Sequence, residues 1–118
     1  MAASAAELLE QNLLGVFGER DVERRRAVLE TIWSPEGVFV DPEGRSVGFD
    51  AIDQRIGELQ AQFPGFVFAA RGTADVMQDV GSLAWGFGPA GAGPAVTGVD
   101  IAVTRDGKIE SLYAFIDA

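Results

Sequence analysis

The hydrophobic period of this chain changes once, at Pro64-Gly65, and that change constrains the fold more than any motif. Ahead of it, Ile52, Ile56, Leu59 and Phe63 fall at steps of four, three and four, which places one apolar stripe along a helix. Beyond it, Leu83, Trp85 and Phe87 alternate with smaller residues, the period of a strand. Helices followed by strands indicate an α+β domain with the helices on one face of a sheet. The spacing predicts a helix over residues 2–17, broken by Gly18, and a second over 22–33 behind Asp21 as N-cap. Ser34 to Gly37 reads as a turn, and residues 38–41 as a short strand running into Asp41-Pro42. Gly48 precedes the third helix, with Asp50 as its expected N-cap. Strands are predicted over 66–78, with a bend at Gly72, and over 82–88, 95–104 and 108–116, the last two joined by an Asp106-Gly107 hairpin turn.

The expected architecture is one domain, 1–118: three N-terminal helices packed in the concave face of a strongly curved, mostly antiparallel sheet, forming a cone-shaped α+β barrel. The open end of such a cone is a natural small-molecule pocket.

Composition narrows the chemistry. The chain has no cysteine and no histidine. That removes thiolate nucleophiles, His general bases and the commonest metal ligands, and leaves Asp, Glu, Tyr, Lys and Arg for proton transfer. No acidic cluster of the DxDxDG kind is present, so neither a metal nor a cofactor is expected. A net charge of −9 argues against nucleic acid and anionic membranes as partners. The one basic run, Arg24-Arg25-Arg26, reads as a solvated helix face. Apolar runs are too short to span a bilayer, and Glu7 and Glu10 do not suit a secretory leader, so a cytoplasmic location is expected.

Two aspartates stand out. In residues 95–103, one face carries Thr97, Val99, Ile101 and Val103, and the other carries Val96, Gly98, Asp100 and Ala102. A row of small residues around one acid suits the wall of a cavity; the competing reading is a solvated strand residue, or one paired with an arginine such as Arg71. Asp41 before Pro42-Glu43-Gly44 is good turn chemistry in any fold, and equally a carboxylate at a strand end that can face a cavity. The aromatics Trp33, Phe39, Phe63, Trp85 and Phe87 are either lining or ordinary core, with Trp85 the preferred pocket residue.

These elements, in order, resemble the SnoaL-like proteins of the nuclear-transport-factor-2-like superfamily. The matching pieces are Trp33 ahead of a turn, FVDPEG at 39–44, GFDAI at 48–52, GVDIAV at 98–103, DGKI at 106–109 and SLYAFID at 111–117. The ketosteroid isomerases of that superfamily carry an Asp-Pro after the first strand, matched by Asp41-Pro42, and an aspartate in the penultimate strand, matched by Asp100. In them that second carboxyl is kept neutral by its apolar site and donates a hydrogen bond. Their tyrosine on the first helix has no counterpart here, where Leu13, Val16 and Phe17 occupy the region; Tyr113 lies on the last strand. The resemblance implies Asp41 and Asp100 as acid–base residues. It also implies a substrate-binding wall that draws on Leu13, Phe17, Trp33, Phe63, Trp85, Gly98, Leu112, Ala114 and Ile116, holding a small apolar carbonyl compound. A non-catalytic binding or interaction module is the alternative. Tyr113 and Phe115 would lie on the outer sheet face, beside Val99 and Ile101, and form a homodimer surface. Epoxide hydrolases of the superfamily use an Asp–Arg–Asp arrangement, and no Asp-x-Arg pairing in the predicted strands matches it.

Overall fold

The computed structural model describes residues 3–117, so Ala2, at the start of the first predicted helix, lies outside it. Helix α1 spans Ala5–Asn12. Ser4 opens it with a reciprocal capping box, its hydroxyl accepting from the Glu7 N–H and its own N–H donating to the Glu7 carboxylate, both at 3.2 Å. The next residues do not continue as α-helix. Leu13–Phe17 form a π-helical turn closed by the Gly18 N–H donating to the Leu13 carbonyl at 2.9 Å. Gly15, within the turn, lies against Val28, where a Cβ would sit 3.3 Å from a methyl carbon.

Helix α2, Val22–Ile32, begins at Asp21, whose side chain accepts from the Arg24 N–H. It stops one residue earlier than its apolar pattern suggests, because Trp33 is already extended and starts strand β1, Trp33–Asp41. The expected turn at 34–37 is instead an irregular stretch of β1, across which its register against the last strand shifts. Strand β2, Gly44–Val47, has no apolar alternation to announce it and folds back on β1 as a hairpin. Helix α3, Phe49–Gln62, is capped by Gly48 at φ 87°, with Asp50 one position inside.

The single long strand expected over 66–78 is two strands, β3, Phe66–Ala70, and β4, Asp75–Met77. Gly72 at φ 94° turns the chain between them, and both pair with β5, Val80–Pro89. Strands β6, Val96–Arg105, and β7, Lys108–Ile116, meet at Asp106-Gly107. Both turn residues have positive φ, 53° and 73°, as a two-residue hairpin turn demands. The sheet runs β2-β1-β7-β6-β5-β3, with β4 also on β5; only β1 and β7 run parallel. It is curved and open rather than closed on itself, and the three helices pack on one face.

Two layers of side chains hold the helices down. Leu8, Leu13, Leu29, Ile52 and Ile56 from the helices meet Leu83, Ile109 and Leu112 from the sheet, all buried; each such side chain contributes roughly 1.5–3 kcal/mol by leaving water. A polar layer adds specificity. Arg25 is buried, which corrects the solvated reading of the basic run. Its Nε donates to Asp53 at 2.7 Å and one terminal nitrogen to the Gln60 side-chain oxygen at 2.8 Å. Gln60 Nε2 in turn donates to the carbonyls of Phe17 and Glu19. The network thus ties α2 and α3 to the end of the π turn. Among the described residues, no helix is long and apolar enough to cross a membrane.

Candidate functional site

The concave face keeps a cavity of about 290 Å³ between α3, the π turn and the sheet. Six aromatic rings line it: Phe17, Phe39, Phe63, Phe68, Trp85 and Phe87. They brace one another, with Phe68 stacked on Phe87 at 4.2 Å between centroids and edge-on to Trp85 at 5.6 Å. This mutual packing presets an apolar wall.

Asp100 is the acid within that wall. Antiparallel pairing sets it opposite Leu83 on one side and Ala114 on the other. It is only 6% exposed, and among the described residues its one side-chain hydrogen-bond donor is Trp85 Nε1, at 2.9 Å. Burial penalises its charged form and pushes its pKa up to about 7, partly offset by the Trp85 bond. Gly98 makes that bond possible. It pairs directly with Trp85, and a Cβ there would collide with the indole ring and the Phe115 carbonyl. Only a residue without a side chain lets the indole lie across β6 so that its N–H reaches Asp100.

Asp41 lines the same cavity. Val40 pairs with Tyr113, so Asp41 is one position further along, level with Ala114. Asp41, Ala114 and Asp100 therefore form a row across β1, β7 and β6, with the two acids two strand spacings apart, roughly 10 Å between backbones. Asp41 is heavily committed to protein partners. Its Oδ1 accepts from the backbone N–H groups of Glu43 at 3.0 Å and Gly44 at 3.1 Å, and its Oδ2 accepts from Arg55 Nε at 2.9 Å. Asp41 thus closes its own turn and borders the cavity at once.

Of the other residues expected in the wall, Leu13, Phe17, Phe63, Trp85, Ala114 and Ile116 line the cavity. Trp33, Gly98 and Leu112 do not. Trp33 is fully buried, its indole N–H donating to Asn12 Oδ1 at 2.9 Å. Leu112 shares the concave side with Ala114 but lies wholly within the core cluster. Gly98 acts from beneath Trp85. Arg71 is not the partner of Asp100 and follows β3 rather than lying in a strand; the strand arginines are Arg45 and Arg105.

The main omission from the sequence reading is Arg55. It lies between Ile52 and Leu59 at helical steps of three and four, and a cation on an apolar stripe was the available signal. Phe39, Phe68, Phe87, Leu59 and Gln62 also line the cavity, as do Pro42, Glu43 and Val96. Phe39 was legible as the residue two before Asp41, on the same strand face. Among the described residues no cluster of acids could hold a metal ion.

Neither a protein-family model nor a curated protein sequence matches this chain. Solved structures do. A SnoaL-like family protein from Agrobacterium tumefaciens, provisionally assigned as an isomerase, superposes with a TM-score of 0.88 at 25% identity over 95% of this chain and 96% of that one. The chain has the SnoaL-like, nuclear-transport-factor-2-like fold. A SnoaL-like protein from Jannaschia sp. CCS1, provisionally assigned as a polyketide cyclase, shares that fold at a TM-score of 0.76 and 15% identity, covering 99% of this chain and 91% of that one. TerC, co-crystallised with polyporic acid, does so at 0.71 and 20%, covering 94% and 89%. Leu13 and Phe17 from the π turn line the cavity, and Tyr113 is outside its lining.

Proposed function

We propose that this chain binds a small, flat, largely apolar carbonyl compound in its cone and isomerises or cyclises it by proton transfer through Asp100, without a cofactor. The observation that carries this reading is the Asp100 carboxyl, 6% exposed in the cavity wall with the Trp85 indole as its donor, where burial pushes its pKa up to about 7. Such a group exchanges protons at neutral pH, as general acid–base work requires. The provisional isomerase and cyclase assignments among the similar structures support the reaction class, and TerC, co-crystallised with polyporic acid, supports a small-molecule ligand for the fold.

The sequence singles out Asp100 more sharply than Asp41 and leaves open which of the two is base and which is hydrogen-bond donor. The hydrogen bonds of Asp41 favour Asp100 for the proton transfer. Two backbone N–H groups and an arginine already occupy three of the acceptor sites of Asp41, whereas Asp100 accepts from one indole. An arginine and two aspartates do share the cavity. Arg55, however, pairs with Asp41 and not with Asp100, which weighs against the epoxide-hydrolase arrangement.

The test is deuterium uptake. Cyclic enones and aryl ketones are incubated with the protein in D₂O, and exchange next to the carbonyl is followed by NMR. Asp100→Asn keeps the acceptor for Trp85 and removes the base, so exchange should fall at least about a hundredfold, the lower range for losing a general base. Exchange at the full rate in Asp100→Asn overturns the assignment. The absence of a wall hydroxyl favours one second reading, a carrier with the same pocket and no chemistry, for which saturable ligand binding would come without any exchange.

A further inference from the structure

We propose that Arg55 donates hydrogen bonds to the carbonyl oxygen of the ligand, and that Asp41 positions it rather than taking part in proton transfer. This rests on the pocket reading above and assigns the oxygen-binding partner that reading lacks.

The argument begins with donors. A guanidinium has five N–H groups in one plane. Arg55 Nε donates to Asp41 Oδ2 at 2.9 Å, and one terminal nitrogen lies 3.0 Å from Glu43. The other is 3.9 Å from Glu58, beyond hydrogen-bond length. N–H groups therefore remain unclaimed on both terminal nitrogens, on a side chain that lines the cavity and is 19% exposed. The hold on the guanidinium is one-sided. Asp41, at 12% exposure, is fixed by its own turn, while Glu43 and Glu58 are more than half exposed and contribute little. The Asp41 carboxylate is thus a bracket. It sets the plane of the guanidinium and leaves the far edge to a ligand.

Charge selects the ligand class. Arg55 and Asp41 form a pair with no net charge, and Glu43 and Asp100 are the other ionisable groups in the lining. A carboxylate ligand would face an excess of negative charge. A neutral carbonyl compound would not, and its oxygen gains negative charge only during reaction, when the waiting N–H groups act most strongly. In the step itself, ionised Asp100 takes a proton from the carbon beside the carbonyl. The C–H pair becomes the new C=C bond, and the C=O π pair moves onto the oxygen facing Arg55. Where the ligand carries a C=C bond next to that carbon, the oxygen pair re-forms C=O, the new C=C pair shifts one bond along, and the old C=C pair takes the proton back from Asp100 at its far carbon. This completes an isomerisation with no oxidant or co-reactant.

The experiment uses 4-nitrophenol, whose coloured phenolate mimics an enolate oxygen, and its uncharged ether 4-nitroanisole. Both are titrated into wild-type protein and Arg55→Gln at one pH below 7. The expected result is equal affinity for 4-nitroanisole, with the phenolate fraction of bound 4-nitrophenol about tenfold lower or more in Arg55→Gln, the loss appropriate to one hydrogen bond to a charged group. Asp41→Asn should give a smaller drop in the same direction. A purely structural Asp41–Arg55 pair would lower the melting temperature and leave the phenolate fraction unchanged, which overturns the proposal. If Arg55→Gln does not fold, the guanidinium ¹⁵N signal of Arg55 in the wild type decides: it should shift with 4-nitrophenol and not with 4-nitroanisole, and no shift overturns the assignment. No saturable binding of either probe to the wild type overturns the pocket reading and this inference together.

Discussion

At the scale of single residues, the chemistry depends on how Asp100 is kept. Its two opposing influences are burial, which raises its pKa, and the Trp85 N–H, which lowers it. Trp85→Phe removes only the second, so the Asp100 carboxyl should titrate above its present value near 7, as read from its ¹³C carboxyl signal. A downward shift would mean that the indole acts chiefly by excluding water. The same residue sets a stability window. The folded state holds a proton on Asp100 up to about pH 7, while the unfolded chain releases it near 3.8. Between those values the native state binds more protons than the unfolded one, so stability falls as pH rises, by at most about 4 kcal/mol. Well below pH 3.8 both states are protonated and the cost is absent. Asp100→Asn should therefore gain melting temperature over wild type at pH 8 and little at pH 4. Equal gains at both pH values would show that the carboxyl carries no such cost. Gly98→Ala makes the complementary point. It forces the indole and the β7 backbone apart, and should cost roughly 1–3 kcal/mol in urea unfolding while uncoupling Trp85 from Asp100.

At the scale of elements, the site depends on the ends of helices being held. Arg25, Asp53 and Gln60 join α2 and α3 and secure the carbonyls of Phe17 and Glu19, so the wall residues Leu13 and Phe17 keep their places. Arg25→Met should cost roughly 3 kcal/mol by leaving buried acceptors unpaired, seen as a lower urea midpoint and as line broadening of the Phe17 ring in NMR; an unchanged midpoint would deny the lock its role. The elements also show what a sequence can and cannot disclose. The stripe from Ile52 to Phe63 and the alternation around Trp85 were legible because each reports one buried face. Asp106-Gly107 was legible because few residue pairs tolerate two positive φ values. The π turn was not, since its apolar spacing differs from that of an α-helix by less than one residue over a single turn. Strand β2 was not, since GRSV has no buried face. Arg25 and Arg55 were misread or missed for a shared reason. A charge inside a fold is stabilised by partners far along the chain, 28 residues away for Asp53 and 14 for Asp41, and no local pattern marks them.

At the scale of the whole molecule, the sheet has two faces and the helices cover only one. The uncovered face carries Val99, Ile101 and Val103 from β6 and Tyr113 and Phe115 from β7, paired across the strands as Val99 with Phe115 and Ile101 with Tyr113. Val38 and Val40 extend it on β1, and Ala84 on β5. These residues carry no charge in a chain of net −9, and Phe115 is 61% exposed. An apolar face that meets charge at its edge, where Arg45 lies opposite Val40 on the edge strand β2, is a pattern suited to a second copy of the chain, for which a stable contact buries about 800 Å² per partner. The prediction is a homodimer at micromolar concentration. Phe115→Glu places a carboxylate in the middle of that contact and should convert the dimer to a monomer in light scattering. The cavity lies on the opposite side of the sheet, so 4-nitroanisole should still bind the monomer with little change. The coupling that remains runs through Gly98, because the Phe115 carbonyl is one of the two groups that bar a side chain there. If loss of the dimer also shifts the titration of Asp100, the outer face would be acting on the site through that backbone contact; if the titration is unchanged, the two faces of the sheet are independent.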